Sequence, residues 1–175
     1  MNKCIIMLLS LAIIAPFVSC IKEGDDIPDE VINYVGVGDV VPAFTASDDK
    51  GGTFSSSGFA GKRSLLLLFV SSCGDCRKVL PVINNEIWPW MKDNPGYQLI
   101  TISRDEPAQE VAGHWSDNKY TMPAYLDPGR KIFSLFANRT IPRLYIINEE
   151  GIIEWMAVEK LEISFEELIN KVKGL

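Results

Sequence analysis

Leu65-Leu66-Leu67-Leu68-Phe69-Val70-Ser71-Ser72-Cys73-Gly74-Asp75-Cys76-Arg77-Lys78 decides the fold. Six apolar residues in a row, closed by a Ser pair, read as a strand covered on both faces, because a strand with one wet face would alternate. Past the break, Val79, Leu80, Ile83, Ile87 and Trp90 recur at helical spacing, and Pro81 is expected to kink that helix. The two cysteines therefore stand where a buried strand ends and a helix begins.

Working outward, residues 97–103 (YQLITIS), 144–147 and 152–158 are further strand candidates, the last two joined by the hairpin turn Glu149-Glu150-Gly151. A helix is expected over 105–118, opened by the acidic cap Asp105 and by Pro107, with Ala108, Val111, Ala112 and Trp115 on its apolar stripe. Another is expected over 129–138, carrying Ile132, Phe133, Leu135 and Phe136. The last has the clearest start: Ser164 and Glu167 make a capping box, Ile163 and Leu168 a staple, and Phe165, Leu168, Ile169 and Val172 the inward stripe. Strands alternating with helices predict an α/β domain, a central mixed sheet with helices on both faces.

A chain of 175 residues, 47% hydrophobic and 23% charged, suits one domain with a real core and excludes wholesale disorder. Thirteen Gly and four Cys are too few for a collagen-like or disulfide-scaffold protein. The net charge of −6, with no basic patch, excludes nucleic acid as a partner.

The N-terminus reads as an address. Lys3 precedes an apolar run from Ile5 to Val18, short of the ~20 residues a spanning helix needs. Phe17-Val18-Ser19-Cys20 then resembles the end of a bacterial lipoprotein signal, although Phe17 stands where Leu is usual. The resemblance implies that residues 1–19 are removed, that Cys20 is lipidated, and that the membrane is a partner through that lipid. Residues 20–36 are expected to form an acidic tether, and the domain to run from 37 to 175. Ile21 follows Cys20 where an inner-membrane retention signal has Asp, so the expected location is the Gram-negative outer membrane, facing the periplasm. Losing Lys3 takes the charge to −7, and Cys73 and Cys76 are left to act outside the cytoplasm.

Unsatisfied N–H groups and the helix dipole at a first turn favour an anion, which suits a thiolate nucleophile at Cys73. Cys76, one turn on, can resolve the mixed disulfide. A passive disulfide staple is the bland alternative. A zinc site is the other, but it wants four ligands, and the chain has one His and no second Cys pair.

The segment from Ser72 to Lys78 with Pro81, Val37-Gly38-Asp39-Val40-Val41-Pro42-Ala43-Phe44, Gly58-Phe59-Ala60-Gly61-Lys62 and Thr140-Ile141-Pro142 together resemble the thioredoxin superfamily, and within it the TlpA-like and redoxin extracytoplasmic thiol-disulfide oxidoreductases. The resemblance covers nearly all of the mature domain. It implies a thioredoxin-like fold, catalysis by Cys73 and Cys76 without cofactor or metal, a cis bond before Pro142, and substrate backbone held by Ile141 and Pro142. It also implies a disulfide-containing protein substrate and an upstream thiol reductant in the envelope. The chain departs from the family at Ser72, where an aromatic is usual, and at Asp75, where Pro is common. Leu67 and Val79 occupy the positions of the family's two proton-relay acids. Asp75 is expected to tune the pair, because a carboxylate beside the thiols opposes the thiolate and favours electron donation. His114 is expected on a helix packed away from Cys73, and so outside the chemistry. A non-catalytic adaptor with a structural disulfide and a peroxide-reducing redoxin remain the alternative functions.

Overall fold

The structure, a computed structural model, describes residues 30–159 and 164–174. Its seven strands are β1 (Thr45–Ser47), β2 (Thr53–Ser55), β3 (Arg63–Phe69), β4 (Tyr97–Arg104), β5 (Tyr125–Asp127), β6 (Arg143–Ile147) and β7 (Ile153–Val158). They form one mixed sheet in the order β2-β1-β5-β4-β3-β6-β7. The β3–β4 and β4–β5 pairs are parallel, and β6 lies antiparallel to both β3 and β7. This is the thioredoxin-like arrangement the sequence predicts; the short strands β1, β2 and β5 were not among the candidates because three residues carry no readable period.

The apolar run is covered on both faces. Leu65, Leu67 and Phe69 enter one core while Leu66 and Leu68 enter the other, all at 0–1% exposure. Each contributes about 1.5–3 kcal/mol by leaving water. The alternation continues in β6, where Leu144 and Ile146 face the first core and Tyr145 and Ile147 the second. Between β6 and β7, Gly151 at φ 80° closes the hairpin turn that the Glu-Glu-Gly triplet predicts.

Helices α1 (Gly74–Val82), α2 (Trp88–Asp93), α3 (Ala108–Asn118) and α5 (Phe165–Lys173) cover the Leu65 face. Pro81 does not end its helix: residues Ile83–Ile87 widen into a π turn and α2 follows directly. Pro lacks an N–H and crowds the carbonyl one turn back; for Pro89 that carbonyl is Asn85, inside the widened turn, which absorbs the crowding. Asn84, inside the widened turn, accepts from the backbone N–H groups of Thr121 (2.8 Å) and Met122 (3.2 Å), tying this helix to the segment before β5. The capping box of α5 is present, with Glu167 N–H donating to Ser164 Oγ and Ser164 N–H to Glu167 Oε2. Phe165, expected inward, is exposed instead.

Two helical expectations are corrected. The helix expected over 129–138 is only α4 (Phe133–Phe136) preceded by a short turn at Pro128–Arg130, since Gly129 at φ 72° leaves the helical region. The Asp105 cap is also absent. Asp105 has φ 56°, Pro107 stands at the N-cap of α3, and of the expected stripe only Val111 is fully buried. Residues just before 37 also pack on this domain. Tyr34 N–H donates to Phe136 O (2.8 Å), Ile32 N–H donates to Asn138 Oδ1 (2.8 Å), and Val35 is buried, so residues 32–35 lie on the α4 side. The expected signal over 1–19, Cys20, the first part of the tether and Ile163 lie outside the described residues.

What holds α4 against the sheet is Asp127, 2% exposed at the end of β5. Its two carboxylate oxygens accept from the N–H groups of Ile132 (2.8 Å) and Phe133 (2.7 Å). Replacing it leaves two buried donors without partners. Asp127→Ala should lower unfolding free energy by about 2–4 kcal/mol in urea titrations, with Asp127→Asn between it and the parent; an Ala variant within about 0.5 kcal/mol of the parent would remove Asp127 from this role.

Candidate active site

Cys73 is the N-cap residue of α1, with φ −73° and ψ 129°, and is half-buried; Cys76 is 0% exposed. The N–H of Cys73 closes a turn on Val70 O (3.1 Å), and its own carbonyl accepts the first helical bond, from Arg77 (3.0 Å). Cys76 packs in the core with Phe69, Val79 and Leu80, and Cys73 packs against the same core. Burial pushes the Cys76 thiol up to about 12; a backbone hydrogen bond from Val70 pulls the other way, and Cys73 and the Glu106 carboxylate add to the rise. The site thus pairs one reachable sulfur with one sealed, proton-holding sulfur.

Glu106, on the loop after β4, fixes the turn that carries Cys73. Its carboxylate accepts from Ser71 N–H (2.8 and 2.9 Å to its two oxygens), from Ser71 Oγ (2.6 Å) and from Ser103 Oγ. On the other side of the same residue, Arg77 Nε donates to Ser71 O (2.9 Å). Both backbone groups of Ser71 are therefore held by charged side chains. The sequence shows Glu106 only as one acid in an Asp-Glu-Pro triplet, and its neighbour Asp105 drew the helix-cap reading. Asp105 in fact accepts from Gly129 N–H (2.9 Å). Asp75, the expected tuning residue, meets Lys78 at 2.7 Å. The carboxylate whose charge reaches Cys76 is that of Glu106.

The Ile141–Pro142 peptide bond is cis, as the resemblance implies. Ile141 packs against both cores, and it shares the Leu65-side core with Cys73. The residue that holds this loop, Arg143, was not a candidate in the sequence. Fully buried, it donates from Nε to Thr140 O (2.9 Å), from Nη2 to Arg139 O (2.7 Å) and from Nη1 to Asn33 Oδ1 (2.7 Å). A guanidinium fork with three neutral acceptors pins the two carbonyls that lead into Ile141 and Pro142.

The expectation that α3 packs away from the cysteine helix is corrected: Val111 shares a core with Cys76, and His114 lines a concavity of about 300 Å³ with Arg77, Pro81, Asn118 and Tyr120. Because β3, β4 and β5 step across the sheet in one direction, both connecting helices fall on the same face. Burial, and next the Arg77 charge, hold the His114 imidazole below its usual range.

Against known proteins, the AhpC/TSA family profile matches residues 37–156. Sporulation thiol-disulfide oxidoreductase A of Bacillus subtilis is 27% identical over 95 residues, a match spanning 54% of this chain and 58% of that relative. A solution structure of a candidate protein disulfide isomerase from Bacteroides thetaiotaomicron superposes with a TM-score of 0.75 at 35% identity, covering 79% of this chain and 89% of that one. The fold is shared with the exposed lipoprotein thioredoxin Etrx1 of Streptococcus pneumoniae, with a TM-score of 0.61 at 20% identity over 77% of this chain and all of that one.

The raised Cys76 thiol has a consequence for stability. A group that titrates higher when folded stabilises fully below its unfolded value and loses that contribution as pH rises toward its folded value. The folded chain holds this proton from about 9 to about 12 while the unfolded chain does not. The reduced protein should therefore lose stability across that window by up to about 1.4 kcal/mol per pH unit, a slope that Cys76→Ser reduces. Urea unfolding at pH 8 and pH 10 measures it; equal slopes in both proteins would contradict the assignment.

Proposed function

Because this chain belongs to the AhpC/TSA family, we propose that it is an extracytoplasmic thiol-disulfide oxidoreductase that reduces disulfides in protein substrates with Cys73 and Cys76. The observation that supports this most is the pairing of a reachable thiol at a helix's first turn with a buried thiol in the core against which it packs. The Cys73 thiolate attacks one sulfur of the substrate disulfide, that S–S bond breaks, and a substrate thiolate leaves. Cys76 then gives up its proton and attacks the Cys73 sulfur, releasing the second substrate thiol and closing the Cys73–Cys76 disulfide. Two electrons and two protons pass to the substrate, and an envelope thiol reductant restores the pair.

Electron donation is the favoured direction. Strong oxidants of this chemistry stabilise their reduced, thiolate form, whereas the Asp75 carboxylate between the two cysteines opposes a thiolate. Extended substrate lies along Ile141 and Pro142, where Arg143 fixes the preceding carbonyls. The leader over residues 1–19 and lipid on Cys20 place the domain in the Gram-negative envelope, on the outer membrane facing the periplasm; that a pneumococcal protein of the same fold is an exposed lipoprotein supports the anchored reading.

Cys76→Ser removes the resolving sulfur and should accumulate mixed disulfides through Cys73 in oxidised envelope extracts. These should appear as slower bands that collapse with dithiothreitol and are absent in the Cys73→Ser/Cys76→Ser double variant. An empty lane from a folded Cys76→Ser protein would leave a non-catalytic adaptor as the better reading.

A further inference from the structure

Three guanidinium groups converge on one ring of the core across the sheet from the dithiol. Arg104, Arg130 and Arg143 stand 4.7, 5.3 and 5.8 Å from the centroid of Phe133. Arg104 follows Ser103, whose partner in the parallel register is Phe69, so Arg104 flanks Val70 at the mouth of the cysteine turn. Arg143 opens β6, directly after Ile141 and Pro142. The cluster therefore lies under the end of β3, on the face opposite the cysteine helix, with Arg104 on one side of that strand and Arg143 on the other.

The chain balances these charges only at a distance, since Asp105 acts on Arg104 without forming an ion pair. Among the described residues, none of the three has a carboxylate within ion-pair distance. Asp127, the register partner of Arg104, has both oxygens committed to Ile132 and Phe133 N–H, and Asp105 Oδ1 takes Gly129 N–H. Arg143 is engaged by three neutral acceptors and Arg130 Nη2 by Asn138 O (2.6 Å), while Arg130 Nε is buried without a partner. Half-buried Arg104 lays its guanidinium on the ring face. Burial, followed by the Arg130 charge, holds the Arg104 guanidinium below its usual range, while Cys76, Cys73 and Asp105 pull the other way. The other cations near the pair are already occupied, Arg77 by Ser71 O and Lys78 by Asp75.

We propose that Arg104 and Arg130, backed by Arg143, form a carboxylate-binding site under the end of β3, so that the substrates are disulfides flanked by an acidic group. This rests on the reductase reading and adds the substrate class to it. Arg suits the task because its planar fork meets a carboxylate with two parallel hydrogen bonds. A protein of net charge −6 would otherwise repel an acidic substrate, and a local cationic edge reverses that over a few ångströms.

The test uses the reduced full domain and three small disulfides of similar size: 3,3′-dithiodipropionate (two carboxylates), 2-hydroxyethyl disulfide (neutral) and cystamine (two ammonium groups). Each is reduced to two thiols as the Cys73–Cys76 disulfide forms. Rates are divided by those of free dithiothreitol with the same disulfide, which removes their intrinsic reactivity. The normalised rate for the dianion should exceed that for the dication at least tenfold at low salt, and added salt should shrink the ratio. Arg104→Gln should bring the ratio below about threefold, and Arg130→Gln should lower it too. If the neutral disulfide is reduced but the parent's ratio is flat, salt-independent or unmoved by Arg104→Gln, the site is refuted and the reductase reading stands. If none of the three oxidises the pair, the reductase reading itself fails. Should Arg104→Gln not fold, the salt series on the parent and the Arg130→Gln ratio decide.

Discussion

A strand covered on both faces has no water at hand for its backbone when it stops. In β3 the side chains of Leu65 to Phe69 fill two cores, and the turn that follows emerges from between them still half enclosed. Its polar groups need partners built from the protein, because an unpaired buried N–H or C=O costs more than a hydrogen bond returns. Ser71 meets that demand with Glu106 on its N–H and hydroxyl and Arg77 on its carbonyl. The position of Cys73, two residues on, follows from how Ser71 is held. The same burial that makes the strand stable makes its exit rigid, and a rigid exit is what a nucleophile needs in order to meet its target at a fixed angle.

The asymmetry between the sulfurs comes from the first turn of α1. Cys73 sits at the N-cap, outside the helix proper, while Cys76 lies on the inward stripe with Val79 and Leu80. They stand three positions apart, close to one helical turn, so the sulfurs lie along the same face although one is reachable and the other is not. A proton kept on the buried sulfur until its partner is consumed prevents Cys76 from attacking early. Closure of the pair then follows formation of the mixed disulfide.

Much of this was legible in the sequence, and the gaps have physical causes. A six-residue apolar run closed by a Ser pair reads as a doubly buried strand, and the Ser164–Glu167 capping box marks its helix by local hydrogen bonds alone. Both readings depend on neighbours in the chain. The failures depend on neighbours in space. Ile132, Phe133 and Phe136 have helical spacing, yet Gly129 at positive φ and the Asp127 cap restrict the helix to a single turn. Of the expected α3 stripe, Ala108 and Ala112 are exposed, since small residues at helical spacing need not face a core. Glu106 and Arg143 were missed for the same reason. Their partners Ser71 and Asn33 are 35 and 110 residues away, and no local pattern records such a pairing. The thioredoxin-like resemblance located the cysteines and the Pro142 loop but not the residues that hold them in this chain.

One strand end serves both the rigidity of the site and its charge. Successive side chains on a strand point to opposite faces. Ser103 therefore turns toward the cysteine helix and donates to Glu106, while Arg104 turns toward Phe133 on the other face. The carboxylate of Glu106 ends up behind the turn, on the side of the buried Cys76, and the guanidinium of Arg104 ends up at its edge, beside Val70. An incoming disulfide would meet positive charge at the rim before the negative charge beneath. That order draws an acidic substrate toward Cys73 while the Cys76 proton stays in place, and a slip of β4 by one residue would exchange the two effects.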